Sequence, residues 1–264
     1  MASVHGKTIR RATILGALLA TLLSSLSWAG TVQVPVRADA TLIEDPDGAL
    51  ANGSGPFLFL GRTSQQTGGI RRALAVFDVA SALPAHAIVT GVTLRLYLAP
   101  SNPGPRRIDL HRVLAAWSEG PSSSAGGIGA PSQPGDVTWL HTLYDSDFWA
   151  ISGSQFVGRS SARQTADESG FVTWTSTRHL VEDVTLWLRA PSRNFGWILI
   201  GDETQRQTAK SFASRENLDE TLRPVLWVTY AVPGETAVKS TVRSSWVETR
   251  SAIGVSRLMD ATSR

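Results

Sequence analysis

Trp139, His141, Tyr144 and Trp149, with Phe148 among them, crowd a stretch of about ten residues that lacks any regular apolar alternation. Aromatic faces stack on the apolar face of a pyranose, and neighbouring polar groups bond its hydroxyls. Loops also carry binding residues more often than strands do. These four residues are therefore the candidate ligand-binding set, and polysaccharide is the ligand class they point to. His141 and Tyr144 are also of the types that serve a lyase as base and acid. Glu119 and Asp136 are a carboxylate pair of the kind a glycosidase uses, although that geometry is spatial rather than sequential.

Other signals of catalysis are missing. The sequence has no cysteine, no H-E-x-x-H, no G-x-S-x-G and no phosphate-cradling glycine loop. His86, His111, His141 and His179 are scattered without metal-ligand spacing. No catalytic residue is assigned, and the chain is expected not to be an enzyme. Asp39, Asp45, Asp47 and Asp78 supply oxygens that could hold a structural Ca2+ in the N-terminal third. Asp45-Pro46-Asp47-Gly48 lacks the remaining EF-hand positions, however, and by itself reads as a turn. No cofactor is required. Arg215, Glu216 and Arg223 form a motif suited to tying a loop to the sheet by charge-assisted hydrogen bonds.

The elements that must position these residues are mostly strands. Val92, Leu94, Leu96 and Leu98 alternate with Thr93, Arg95 and Tyr97, a strand with one buried face. Similar runs occupy 38–44, 57–62, 71–79 and 107–114. Residues 196–201 (GWILIG) and 224–230 (PVLWVTY) are apolar on both faces and should be central, which makes Trp197 and Trp227 core residues. Leu180, Val184, Trp187 and Leu188 recur at helical spacing, so the pattern predicts one short helix over 178–189, capped by Ser176 or Thr177 and ended by Ala190-Pro191. Many short strands and one helix predict an all-β fold, a two-sheet sandwich of jelly-roll type. Residues 119–135, rich in Gly, Ser and Pro, are expected to form a mobile loop.

Residues 1–29 read as a secretory signal peptide. Lys7, Arg10 and Arg11 precede an uncharged apolar stretch, and Ser27-Trp28-Ala29 offers small residues for cleavage before Gly30. The apolar core is too short to span a bilayer, so no transmembrane segment is expected in the mature chain. Of 25 basic and 22 acidic residues, the leader holds three basic ones and leaves the rest balanced. Residues 30–233 carry 17 basic and 19 acidic residues, without the clustered basic face that nucleic acid needs. Residues 234–264 lose the strand pattern and read as a disordered tail.

The order of segments resembles a known family. Arg71-Arg72-Ala73-Leu74, Phe77-Asp78-Val79 and Leu83-Pro84 before Val92-Thr93-Leu94-Arg95-Leu96 are similar to the first half of DNRLRE domains. Trp117-Ser118-Glu119-Gly120 and Asp136-Val137-Thr138-Trp139 resemble its middle stretch. Asp183-Val184 with Trp187-Leu188, then Asn194 to Leu199, look like its helix and following strand. Phe212 to Asn217 and Arg223-Pro224-Val225-Leu226 resemble its closing segment. The resemblance spans roughly residues 38–230. It implies a secreted bacterial β-sandwich, in a family with members grouped among carbohydrate-binding modules, and no catalytic residues. The expected function is polysaccharide binding or cell-surface adhesion outside the cell. The rivals are a structural matrix protein without a small ligand and a polysaccharide lyase or hydrolase.

Overall fold

The computed structural model describes residues 28–233. The leader, apart from Trp28 and Ala29, and the 234–264 tail lie outside them. In chain order the strands are β1 (Trp28–Ile43), β2 (Leu50–Asn52), β3 (Phe57–Arg62), β4 (Ile70–Phe77), β5 (Ile88–Leu98), β6 (Arg106–Arg112) and β7 (Ala130–Pro131). They continue as β8 (His141–Leu143), β9 (Asp147–Phe148), β10 (Ala162–Ala166), β11 (Gly170–Trp174), β12 (Trp197–Ile200), β13 (Lys210–Ala213) and β14 (Val225–Val232). Two α-helices interrupt them, α1 (Val79–Ala82) and α2 (Arg178–Arg189). The all-β sandwich holds, but with a second helix: Asp78 caps a single turn where only strand and loop were expected.

All pairings are antiparallel. In the first sheet β5 lies between β11 and β14, and β14 pairs on its far side with the first half of β1. β13 meets β5 at Leu98 and carries β3 on its other edge. The second sheet runs β10–β6–β12–β4, then the second half of β1, β2 and β7. β1 changes sheets at a register shift between Val36 and Ala38. β3 does so at Gly61, whose φ of +103° only glycine adopts without strain. The two layers are thus stitched together covalently.

Period-two alternation sends Leu94, Leu96 and Leu98 of β5, Leu226 and Val228 of β14 and Trp197 and Leu199 of β12 into one core between the sheets. α2 closes that core with Leu180, Val184, Trp187 and Leu188, its first turn capped by the Thr177 hydroxyl accepting from the Leu180 amide at 3.1 Å. A second core lies on the opposite face of the second sheet. Ala40 and Leu42 of β1, Leu74 of β4 and Ile198 of β12 meet Val113, Val137 and Trp149 there. This explains why β12 is apolar on both faces. The chain between β6 and β10 forms a third layer over that sheet.

The 119–135 segment belongs to this layer and is tied down rather than free. Asp136, fully buried, accepts from the Ser122 amide at 3.0 Å and the Gln133 amide at 2.6 Å, and from the Ser122 hydroxyl. The Ser122 carbonyl in turn accepts from the Gly53 and Ser54 amides, each at 2.9 Å. Buried Arg71 grips the same segment through the Gly127 carbonyl and the neighbouring turn through Gly68 and Gln65. Burial lowers the Arg71 pKa to about 10, partly offset by Glu44.

Candidate functional site

The four aromatic candidates of residues 139–149 do not form a platform. Trp149 is 6% exposed in the second core, its indole N–H donating to the Thr138 carbonyl at 3.0 Å. Trp139 is half-buried beneath the Arg72 guanidinium, 4.9 Å from its ring centre. Arg72 is itself fixed by Glu203 at 2.7 Å and by the Gly153 carbonyl. His141 is buried, its Nδ1 2.9 Å from the Thr138 hydroxyl, and burial pulls its pKa down against the pull of Asp145. Tyr144 stands edge-on to it with ring centres 5.1 Å apart. Only Phe148, on the far side of His141, is well exposed. The irregular stretch brings these rings together as the lid of a core, because the second sheet has an apolar outer face to cover. Asp136 likewise faces Ser122 and Gln133 rather than Glu119's carboxylate.

An exposed aromatic surface exists elsewhere, on the outer face of the first sheet. The residues of β5 that alternate with its buried leucines, Thr93, Arg95 and Tyr97, point outward. Register sets Arg95 between Thr173 of β11 and Val225 of β14, so Phe171 and Trp227 are its diagonal neighbours. The guanidinium lies 4.2 Å from the Phe171 ring centre and 4.5 Å from that of Trp227. Tyr97 meets the Phe171 ring edge-on at 5.3 Å. The stack crosses three adjacent strands, the outer two about 10 Å apart. Threonines 93, 173 and 229 flank it, and the Thr229 hydroxyl meets that of Thr31 at 3.1 Å.

Unlike Arg72, Arg106, Arg107, Arg112 and Arg163, Arg95 has no carboxylate partner among the described residues, and its Nε is buried without any hydrogen bond. Phe171 is 48% exposed. Trp227, expected in the core, lies outward and half-buried: β14 is apolar on both faces because this indole packs on Arg95, not because a second layer covers it. Beyond β13 the same sheet carries a groove of about 540 Å3, lined by Phe57, Phe59, Asn102, Gln207 and Ser211 among others. The alternation of β5 already marked Arg95 and Tyr97. Phe171 lay on a five-residue strand too short for its pattern to be read.

The acidic residues also regroup. Asp45 accepts from the amides of Asp47 at 3.1 Å and Ala49 at 2.8 Å, closing its own turn, with Asp47 exposed. Asp78 caps α1 through the Ser81 amide. Neither joins Asp39. Instead Asp39 of β1 meets Glu119, from the third layer, and Glu216, from the turn after β13, with one carboxylate oxygen of each within 4.8 Å of the others. Arg215 bridges the two glutamates, its Nη2 lying 2.6 Å from Glu119 and 2.5 Å from Glu216. Arg223 pairs with Glu220 at 3.0 Å instead.

Each member is held by backbone. Asp39 donates its amide to Glu119 Oε1 at 2.7 Å and accepts the Arg215 amide on Oδ2 at 2.8 Å. Gly53 lies so close to Glu119 that a Cβ on it would come within 1.9 Å of the Glu119 carbonyl oxygen. The Ser214 hydroxyl accepts the Glu216 amide at 3.1 Å and donates to the Gly55 carbonyl at 2.7 Å. Burial first, then the charge of Glu216, raises the Asp39 pKa well above the ordinary carboxylate range. Burial and then Glu119 raise that of Glu216.

No family model matches the chain, and no curated protein matches it. Among solved structures, a chain of the Israeli acute paralysis virus full particle heated to 63 degree is similar at 13% identity. The match covers 89% of this chain and 80% of that chain with a TM-score of 0.22, too slight a likeness to bear on function. No helix among the described residues is long and apolar enough to cross a membrane.

Proposed function

We propose that the chain is a non-catalytic extracellular module of the DNRLRE type that binds polysaccharide across the outer face of its first sheet. The observation that carries this reading is the unpaired Arg95 guanidinium sandwiched between Phe171 and Trp227 on an open, threonine-flanked strand surface. A ring stacked at the exposed Phe171 face would lose water from apolar surface on both sides. The guanidinium and the threonine hydroxyls beside it supply donors for sugar oxygens. An arginine kept extended between two rings has little rotamer freedom left to lose when it bonds a ligand.

Affinity electrophoresis of the full chain through gels containing a panel of soluble polysaccharides tests this. Retardation by at least one polysaccharide is expected, weakened tenfold or more in Phe171→Ala and in Arg95→Ala, about 1.4 kcal/mol of binding energy each. Thermal stability should stay near that of the wild type in both, and no reducing ends should be released. Unretarded wild type, or variants retarded like it, would sink the proposal.

A further inference from the structure

Three carboxylates and one guanidinium at the Asp39 cluster leave two negative charges uncompensated if all are ionised. Asp39 is 0% exposed, and its Oδ1 is buried without a hydrogen-bond partner. Glu216 Oε2 is likewise buried and unpartnered. The remaining oxygens are spoken for: Glu119 faces Arg215 with both, and Glu216 Oε1 faces Arg215 as well. A buried carboxylate oxygen without a donor costs the full desolvation of that atom, and a second carboxylate beside it adds repulsion. Most buried polar groups in folded proteins are met by a donor, a water or an ion.

We propose that Asp39, Glu119 and Glu216 form a Ca2+ site, with Asp39 Oδ1 and Glu216 Oε2 as direct ligands and Glu119 completing it through an oxygen shared with Arg215. A divalent ion cancels the two excess charges. One carboxylate oxygen of each residue lies within 4.8 Å of the others, close enough to share one calcium ion whose oxygen ligands stand about 2.3–2.6 Å from it. The irregular, crowded donor set suits Ca2+, which tolerates variable geometry, better than Mg2+, which demands a near-ideal octahedron. The side chains of Glu119 and Glu216 are 18% and 20% exposed, so the cluster lies close to solvent on that side. The ion would join β1, the layer covering the second sheet and the turn after β13. Those segments lie far apart in the sequence, so the effect on global stability should be plain.

The test is titration calorimetry of the full chain, stripped with a chelator, against CaCl2, with thermal melts in parallel. Saturable one-site uptake is expected. The melting temperature should rise by roughly 5 °C once Ca2+ exceeds its Kd a hundredfold. Asp39→Asn and Glu216→Gln should each weaken uptake at least tenfold and abolish the thermal response, and MgCl2 should give a smaller shift. If the stripped wild type takes up no Ca2+ up to about 10 mM, above the weakest range of extracellular modules, the proposal falls and a proton holds the cluster together. Uptake that survives in both variants overturns it equally. The wild-type titration decides the matter even if a variant fails to fold, and glycan retardation plays no part in the readout.

Discussion

Three aspartates are buried among the described residues, Asp39, Asp136 and Asp183, and only Asp39 is left with an unmet oxygen. Asp183, on α2, is 5% exposed. Its Oδ1 pairs with Arg112 Nε at 2.8 Å, while Oδ2 accepts the Ser161 hydroxyl at 2.6 Å and the Trp197 indole N–H at 2.9 Å. One charge meets one opposite charge and two neutral donors, so the helix is locked to β6, β12 and the residue just before β10 with nothing left over. Asp39 receives a single backbone N–H and faces two further carboxylates. Depth of burial does not distinguish the two. What does is the sum of charge and donors around each, and that sum marks Asp183 as scaffold and Asp39 as a place where something further binds.

The contrast is most easily broken at Asp183. Asp183→Ala should destabilise the protein by about 3–5 kcal/mol, since it strands Arg112 and two polar donors in a buried site. Urea unfolding would measure it. A cost under about 1 kcal/mol would mean that the pair merely offsets its own desolvation and that the comparison has no energetic content.

At Asp39 the sign reverses. With Ca2+ chelated, Asp39→Asn should stabilise the protein by about 1 kcal/mol at pH 8, because it removes a buried like charge and keeps the acceptor for the Arg215 amide. The pH profile should show the same thing. A carboxyl whose folded pKa exceeds its unfolded value binds more protons folded than unfolded. Its stabilisation is therefore full below the unfolded value, near 4, and is lost as pH rises through the folded one. Asp39 and Glu216 both have raised values. The chelated wild type should thus lose stability as pH climbs from about 4 through those raised values, and Asp39→Asn should flatten the decline. A chelated wild type whose stability rises over that range would contradict the arrangement.

Much of the scaffold around both aspartates was legible in local sequence. The alternation at 92–98 and the helical spacing from Leu180 to Leu188 depend on neighbours two to four residues away, and both elements stand where that pattern put them. The third layer was not legible, because Trp139, Trp149 and Phe156 reach the second sheet from irregular backbone with no period to read. Its only trace was the two-sided apolarity of GWILIG. The same cue misled at Trp227, where the second apolar face is an aromatic packed on an arginine. The acidic cluster lay beyond local reading altogether. Arg215 and Glu216 are adjacent, but Asp39 and Glu119 are 80 residues apart and Glu119 and Arg215 are 96 apart. Calcium ligands sought among near neighbours therefore gave Asp39 with Asp45, Asp47 and Asp78: Asp39 belongs to the cluster, whereas Asp45 and Asp78 accept amides of their own turns and Asp47 is exposed.

Next to Asp183, Glu182 shows how little an exposed carboxylate contributes. Glu182 faces solvent, 2.7 Å from Arg178, 3.1 Å from His179 and 3.3 Å from Arg159. The Arg178 hydrogen bond first, then that of His179, lowers its pKa to about 2. It thus has more charged partners than Asp183, and a depressed pKa places its stabilisation above the unfolded value, with loss only as pH falls toward 2. Yet exposed pairs spend side-chain entropy to hold their geometry and are screened by salt. Glu182→Gln should leave the urea midpoint at pH 7 and 0.15 M salt within experimental scatter, with a small drop emerging only at low ionic strength. A loss at Glu182 approaching that of Asp183→Ala would show that the number of charged partners, rather than burial with a complete donor shell, governs how these carboxylates act.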